Sequence, residues 1–581
     1  MLSFDWFISK NKKDIVSITQ YAEENRKIIR EDYFLLIEKI GNHSFKEKPL
    51  HSYLKYDKNN SLWTMSKLFE KSNHKSIYIG DVIKVLAFKS YIDQNKPKKI
   101  YFKSLNKGIF KIINSICYDE KIEILVGSIS NCKTKKNYYK YLPSFFIALI
   151  WLTRIFLLES PLRIIKNKKL IPLKSDLFIC SYFSHLNIKD NFSGEFNSGI
   201  WGELPSLLKR YNIKSNWIHH YIKSKITPSF FKAQRIINQI NSISTDCHSL
   251  IKSHLDLKLF LKVVFNYVTY RLKIFNIRLS SENFFLFKGI NFKFFYKEDF
   301  KDSFFGITAI QNILWVELFD KILKDTQNQK LGIYLQENQG WEFAFINAWK
   351  KNKHGKLVAI QHSSVSFWDL RYKNIFENRN LNLYNIYRPD FFGVNGTRSK
   401  KEFLNFGYRE NDIIELESLR YSKSLFKVSK ENSSNILILG DVSRSNTLLM
   451  LEQIYPLLDY NFTFTFKAHP INPIELDEKY SNKFKKTELP LNEILPLNNS
   501  VISTSDSTSS IESYLVGIRT IIFNIPGNLN RSPLIGETSV FFVSDSSEIL
   551  IALQKKFYTM PNNEFFNNSE NLMEWEKLLL N

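Results

Sequence analysis

The chain has 581 residues, 44% of them hydrophobic and 24% charged, which is apolar enough for two large domains or three smaller ones and excludes disorder as its main state. The formal net charge of +24 suits an anionic partner, but the lysines are spread along the chain, and no RNP signature, zinc-finger spacing or basic-zipper pattern is present, so nucleic acid is not expected as a partner. Cys117, Cys132, Cys180 and Cys247 form no C-x-x-C pair and no metal spacing, and read as buried thiols of a reducing compartment.

The start, Met1–Lys10, places Asp5 inside its short apolar run and has no cleavage site, so it does not read as a signal peptide. Residues 1–60 read as a charged, helical N-terminal extension. From about Leu62 the pattern changes to strand–helix alternation: a helix over 81–93, a strand over 99–103, a helix over 108–118 and a strand over 122–126. An apolar insertion follows at 133–170. Its run from Tyr141 to Leu158 is short for a membrane span, contains Arg154 and has basic residues on both sides. Two readings stay open for it: a helix lying in the interface of an anionic leaflet, or a buried core helix. The stretch from Lys258 to Phe275 mixes aromatic, aliphatic and basic residues in the same way.

Strands are expected at 176–182, 215–221, 332–336, 356–362, 390–395 and 413–417, with a helix over 341–350. The polar stretch 424–434 is the best linker. A second α/β run begins at Asn435, and 569–580 reads as an amphipathic helix able to pack back on the first domain. The alternation in both halves predicts an α/β protein with two parallel sheets covered by helices. The boundaries expected are 61–423 for an N-terminal Rossmann-like acceptor domain, 424–555 for a C-terminal Rossmann-like nucleotide-donor domain and 556–581 for the C-terminal helix.

The segment Phe464-Thr-Phe-Lys-Ala-His-Pro470 carries the strongest chemical signal. It is an alternating strand that ends on Lys467, His469 and Pro470, and the proline stops the ladder and leaves the imidazole at the strand end. Some thirty residues later, Val501-Ile-Ser503 runs into Thr504, Ser507, Thr508, Ser509, Ser510 and Glu512. Hydroxyls at a helix start, with Ser510 as N-cap, form a place for a phosphate. The competing reading is a solvated serine-rich loop with an ordinary cap. The Gly440–Asn446 turn adds Ser443 and Arg444, and Arg420 lies at the domain junction, within reach of an anionic donor. In the first half, Glu337 follows a strand directly and is a candidate general base. Glu342 is the second candidate, although an acid in a first helical turn often serves the helix dipole. Asn338 and His362 stand on the acceptor side. No G-x-G-x-x-G, P-loop or nucleophile elbow is present.

The Lys467-Ala-His469-Pro470 and Ser503–Glu512 segments resemble the HP and Ser/Thr motifs of GT-B glycosyltransferases that use CMP-activated sugars, such as bacterial sialyltransferases, polysialyltransferases and Kdo transferases. They also resemble the CDP-glycerol glycerophosphotransferases. Tyr334–Glu342, Ile360–His362 and Glu417–Tyr421 resemble a group of bacterial surface-carbohydrate biosynthesis proteins. The resemblance implies a GT-B fold of two Rossmann-like domains facing a cleft, His469 on the donor phosphate, the 507–510 hydroxyls around it, and an acidic base in the first domain. It implies no metal and no cofactor beyond a CMP-linked nucleotide sugar, with a glycan or lipid-linked acceptor. The expected function is inverting transfer of an acidic sugar to a cell-surface glycan, such as a capsule or lipopolysaccharide, by a cytoplasmic protein peripheral to the inner membrane face. The alternatives are a CDP-alcohol (glycerol or ribitol phosphate) transferase and a non-catalytic membrane adaptor of polysaccharide assembly.

Overall fold

The computed structural model of the protein describes residues 2–45, 47–130, 142–159, 175–186, 194–275, 277, 282–375, 387–421, 434–470, 474, 480, 483–556, 565–569 and 571–580. Residues 424–433 of the expected 424–434 linker and much of the 133–170 insertion lie outside them.

Two parallel sheets carry the architecture. The first has seven strands in the order Ile413–Glu415, Phe391–Val394, Lys356–Ile360, Leu331–Leu335, Leu177–Phe183, Ser215–Tyr221, Cys247–Leu250. The chain starts in the middle at Leu177, runs outward to Cys247, then returns to Leu331 and runs the other way. The order therefore reverses between Leu177–Phe183 and Leu331–Leu335. The second sheet has six strands in the order Lys485–Lys486, Thr463–Lys467, Asn435–Leu439, Ser500–Thr504, Arg519–Phe523, Val540–Val543. Its order reverses between Asn435–Leu439 and Ser500–Thr504. In such sheets ligands bind beyond the carboxyl ends of the strands at this reversal.

The central strands read as near-continuous apolar runs because both faces are covered. In Asn435–Leu439, four successive apolar residues are buried, as a parallel sheet flanked by helices requires. Two Rossmann-like sheets facing one another across a cleft make this a GT-B architecture.

A third sheet corrects the reading of residues 1–60 as a helical extension. Leu2–Asp5 pairs in parallel with Lys99–Asn106, and with Val16–Ser17 and Glu123–Ser130 it builds a four-stranded sheet. Phe4 stacks on Phe102, its partner in the register of that pairing. The Ile18–Glu24 and Arg26–Asn42 helices pack on the Ile79–Asn95 helix of the same lobe. Residues 2–5 become a strand through pairing with a partner nearly a hundred residues away, which no local pattern records.

The chain returns to the first domain at its C-terminal end, as expected. Phe566 stacks on Tyr421 at 4.2 Å, Asn567 exchanges backbone hydrogen bonds with Asn395 and Ser418, and the Met573–Leu580 helix docks through Trp575. The Glu417 carboxylate accepts from the N–H groups of Glu574 and Trp575, capping that helix, while the Trp575 indole donates to the Glu417 carbonyl at 2.9 Å.

Candidate active site

Each sheet places an acid at its reversal point, part-buried Glu337 in the first and buried Asp441 in the second. In the first sheet Tyr182 ends one central strand and Glu337 follows the other. The Tyr182 hydroxyl donates to Glu337 Oε2 at 3.2 Å, and the Gln339 amide also donates to that oxygen. Tyr182 stays a phenol, because burial and the carboxylates of Glu337 and Glu342 push its pKa well up. Burial also raises the pKa of Glu337, but the His362 imidazole, the Arg371 guanidinium and these hydrogen bonds outweigh it and hold the group below the usual carboxylate value. His362 Nε2 stands 3.7 Å from Glu337 Oε1. Burial pushes His362 down to about 4, so at neutral pH the ring is uncharged and Arg371 supplies the standing positive charge.

Glu342 has a different job. Its Oε1 accepts from the N–H of Glu337 at 2.9 Å and of Gln339 at 2.8 Å, closing a capping box at the start of the Gly340–Lys351 helix. It is fully buried, and burial drives its pKa up to about 8. Glu342 thus caps the helix through its hydrogen bonds rather than through charge on the helix dipole. Asn338 is also structural. Its φ of +55° sits in the left-handed region that Asn tolerates, its amide donates to the Arg371 carbonyl, and its Oδ1 accepts from Gln336.

In the second sheet Asp441 follows strand Asn435–Leu439. It accepts from the Ser443 N–H at 2.6 Å and, on its other oxygen, from the Thr504 hydroxyl at the end of the neighbouring strand. His469 lies half-buried beside it; burial lowers the imidazole pKa, with Asp441 opposing. Gly440 lets the two strand ends run close, since a Cβ there would meet the His469 main-chain nitrogen at 3.2 Å.

The expected row of hydroxyls divides in two. Ser505, Ser507 and Thr508 line the cleft. Ser503 and Thr504 are fully buried in the strand, and Ser510 is buried with its hydroxyl donating to the Ser507 carbonyl at 2.7 Å. Thr508, not Ser510, stands at the cap position of the Ser509–Leu515 helix, and its side chain makes no capping bond. The Lys467 ammonium donates to the Leu489 carbonyl. Pro470 and Arg444 are exposed, and Ser443 shares a hydrogen bond with Ser445. Arg420 lines a small pocket with His362, and its charge opposes the burial that raises the pKa of Glu512 in the second domain.

The cleft proper is a cavity of about 130 Å³ bounded on one side by Ser363, Ser364 and Arg371 and on the other by Ser505–Thr508 and Arg531. Arg371 is held flat by a bidentate pair with Asp369, 2.8 Å on each arm. Arg531 pairs with Asp506 at 2.6 Å. His74, from the N-terminal lobe, completes the wall. A larger groove, about 670 Å³, runs from Tyr182 and Gln339 past Trp341 and Trp315 to Lys252.

Tyr182, Arg371, Asp441, Arg531 and His74 escaped the sequence reading. The compact Asp369-x-Arg371 spacing was the one local signal. The others become neighbours only through strand order. Among the described residues no three His, Cys, Asp or Glu side chains gather to hold a metal ion.

No family model and no curated protein matches this sequence. Among solved structures, UDP-GlcNAc 2-epimerase from Methanocaldococcus jannaschii is similar at 14% identity and a TM-score of 0.40, over 70% of this chain and 99% of the epimerase. A glycosyltransferase from Rickettsia africae ESF-5 is similar at 13% identity and a TM-score of 0.37, over 70% and 98%. SnogD, a glycosyltransferase from Streptomyces nogalater, is similar at 9% identity and a TM-score of 0.37, over 70% and 99%. Likeness at this level decides neither reaction nor donor.

Proposed function

We propose that the protein is an inverting glycosyltransferase that moves an acidic sugar from a CMP-linked donor to a surface-glycan acceptor at the inner face of the cytoplasmic membrane. One observation carries the reading: a cavity lies between Ser363, Ser364 and Arg371 of the first domain and Ser505–Thr508 and Arg531 of the second, with Glu337 in the field of Arg371 and with Asp441, beside His469, in the field of Asp506. The acceptor hydroxyl, lying in the Tyr182–Trp341 groove, gives its proton to Glu337 as its oxygen attacks the anomeric carbon. The bond from that carbon to the donor phosphate oxygen breaks, and the nucleotide leaves as an anion. His469, Ser507, Thr508 and Arg531 are the groups available to hold it, as fixed donors aimed at developing charge. No metal is assigned a step.

A shift of melting temperature on adding CMP, CDP, UDP or GDP tests the donor, since a ligand of the folded state stabilises it by mass action. CMP should give the largest shift, and His469→Ala should abolish transfer with the fold intact. A preference for UDP or GDP would overturn the CMP assignment. Transfer of a polyol phosphate from a CDP-alcohol would favour the runner-up, and no response to any nucleotide would favour a non-catalytic adaptor.

A further inference from the structure

Two neighbouring helices on the outside of the first domain present a continuous apolar face. Ser144–Glu159 and Leu257–Lys273 both pack inward on the Ile307–Asp325 helix. They lie antiparallel: Phe145 stacks on Tyr267 at 5.7 Å, and Phe156 meets Phe260 at 4.5 Å. Their outer sides carry Phe146, Ile150 and Leu157 on one helix and Leu261, Phe265 and Leu272 on the other, each at least half exposed, with Phe265 at 67% and Leu272 at 69%. Apolar side chains grouped in this way on a surface mark a docking site.

The charge on this face selects the partner. Arg154 and Lys258 stand exposed on the two helices; Lys262 pairs with Glu317, Arg271 and Lys273 donate to the Phe305 and Lys55 carbonyls, and the one acid of the two helices, Glu159, is paired with Lys252 at 2.8 Å. A two-fold pairing of this face with itself would set the same cations against their own copies, which disfavours a second copy of the chain as occupant. An anionic lipid surface meets both features, taking the apolar side chains into the acyl boundary and the cations at the headgroups. Crossing is not the mode, since no helix among the described residues is long and apolar enough to span a bilayer.

We infer that the 144–159 and 257–273 helices seat the protein on an anionic bilayer, with the Tyr182–Lys252 groove opening beside the seated face. The Glu159–Lys252 pair places the end of the first helix beside the groove, because Glu159 ends that helix and Lys252 lines the groove. A lipid-linked acceptor would then keep its tail in the leaflet while its sugar enters the groove; this part alone rests on the transferase reading.

Flotation of the full chain with phosphatidylcholine vesicles, with and without phosphatidylglycerol, tests the docking. The protein should float with the anionic vesicles and far less with the neutral ones. The Leu261→Asp/Phe265→Asp double variant and, separately, Arg154→Glu/Lys258→Glu should each weaken flotation on the order of tenfold or more. Both variants change exposed side chains, so melting temperature and nucleotide-induced shift should stay at wild-type values. Equal flotation with both vesicle types, no flotation, or flotation unchanged in both variants would overturn the inference. So would a dimer that the Asp variant breaks without any vesicle binding. Failure of every nucleotide to bind would remove the transferase reading and leave the flotation result standing.

Discussion

The Tyr182 hydroxyl donates to the Glu337 carboxylate across the point where strand order reverses in the first sheet. Burial pushes the Glu337 pKa up, but His362 and Arg371, followed by the Gln339 and Tyr182 hydrogen bonds, outweigh it and hold the group below the ordinary carboxylate value. A base must be a carboxylate before it accepts a proton, and Glu337 meets that condition where Glu342, raised to about 8, does not. Glu337→Gln should therefore cut transfer about 10²–10⁴-fold while the nucleotide still raises the melting temperature. Wild-type turnover in this variant would remove Glu337 as the base.

Glu342 predicts the opposite pattern. With its pKa up at about 8 it is mostly protonated at pH 7, so Glu342→Gln keeps shape and charge and should leave both stability and turnover close to wild type. Glu342→Ala strips two backbone N–H groups of their acceptor. Loss of a cap of this kind costs about 1–2 kcal/mol, readable as a lower urea midpoint. Equal stability of the Gln and Ala variants would show that the cap contributes nothing.

His362 makes a pH prediction. Its folded pKa is about 4 against an ordinary 6.5, both for the same imidazole. As pH falls below 6.5 the unfolded chain takes up a proton that the folded chain refuses until about 4, so this residue's effect is to lower stability with falling pH in that window. The 2.5-unit gap corresponds to roughly 3 kcal/mol. Relative to wild type, His362→Asn should lose less stability between pH 6.5 and 4 in parallel urea titrations. An imidazole resonance of His362 titrating near 6.5 would contradict the buried, neutral state directly.

Asp441 organises the second reversal point. Removing its carboxylate leaves the buried Thr504 hydroxyl and the part-buried Ser443 N–H without their acceptor, and leaving a buried donor unpaired costs about 1–3 kcal/mol. Asp441→Ala should therefore lower the urea midpoint and reduce the nucleotide-induced melting shift, since the loop beside His469 loses its anchor. Thr504→Val removes one partner of the same pair and should reproduce the stability loss in smaller measure. A nucleotide shift unchanged in both variants would separate this acid from the binding cleft.

Strand and helix positions in both large domains could be read from the sequence because buried parallel strands are short, apolar and separated by helices. Asn435–Leu439 and Ser215–Tyr221 fall within a residue of expectation. Strand order was not legible, and the site depends on it. Tyr182 reaches Glu337 only because the chain returns to the middle of the sheet after 155 residues, and nothing local to either residue records that return. The hydroxyl segment shows the same limit. Its composition suggested one row of phosphate donors, but the alternation of strand and turn sends Ser503, Thr504 and Ser510 inward and leaves Ser505, Ser507 and Thr508 at the cleft.

The N-terminal lobe is tied to the cleft through Lys84. Its ammonium is fully buried, donates to the Trp6 carbonyl at 2.7 Å and the Gly527 carbonyl at 2.9 Å, and lies 4.4 Å from the Trp6 ring centroid. Burial lowers its pKa to about 8, so it is still largely charged at pH 7. Gly527 opens the loop that carries Arg531 to Asp506, and Asn530 in the same loop donates its N–H to Glu23 at 2.7 Å. Lys84→Ala leaves two carbonyls without their donor and frees the loop from its support. Folding should lose about 1–3 kcal/mol per unpaired group. The amides of residues 527–531 should exchange faster with solvent than in wild type, and the nucleotide-induced melting shift should fall although Lys84 itself stands outside the cleft. Exchange in that loop at the wild-type rate would show that the third sheet holds the lobe together without governing Arg531.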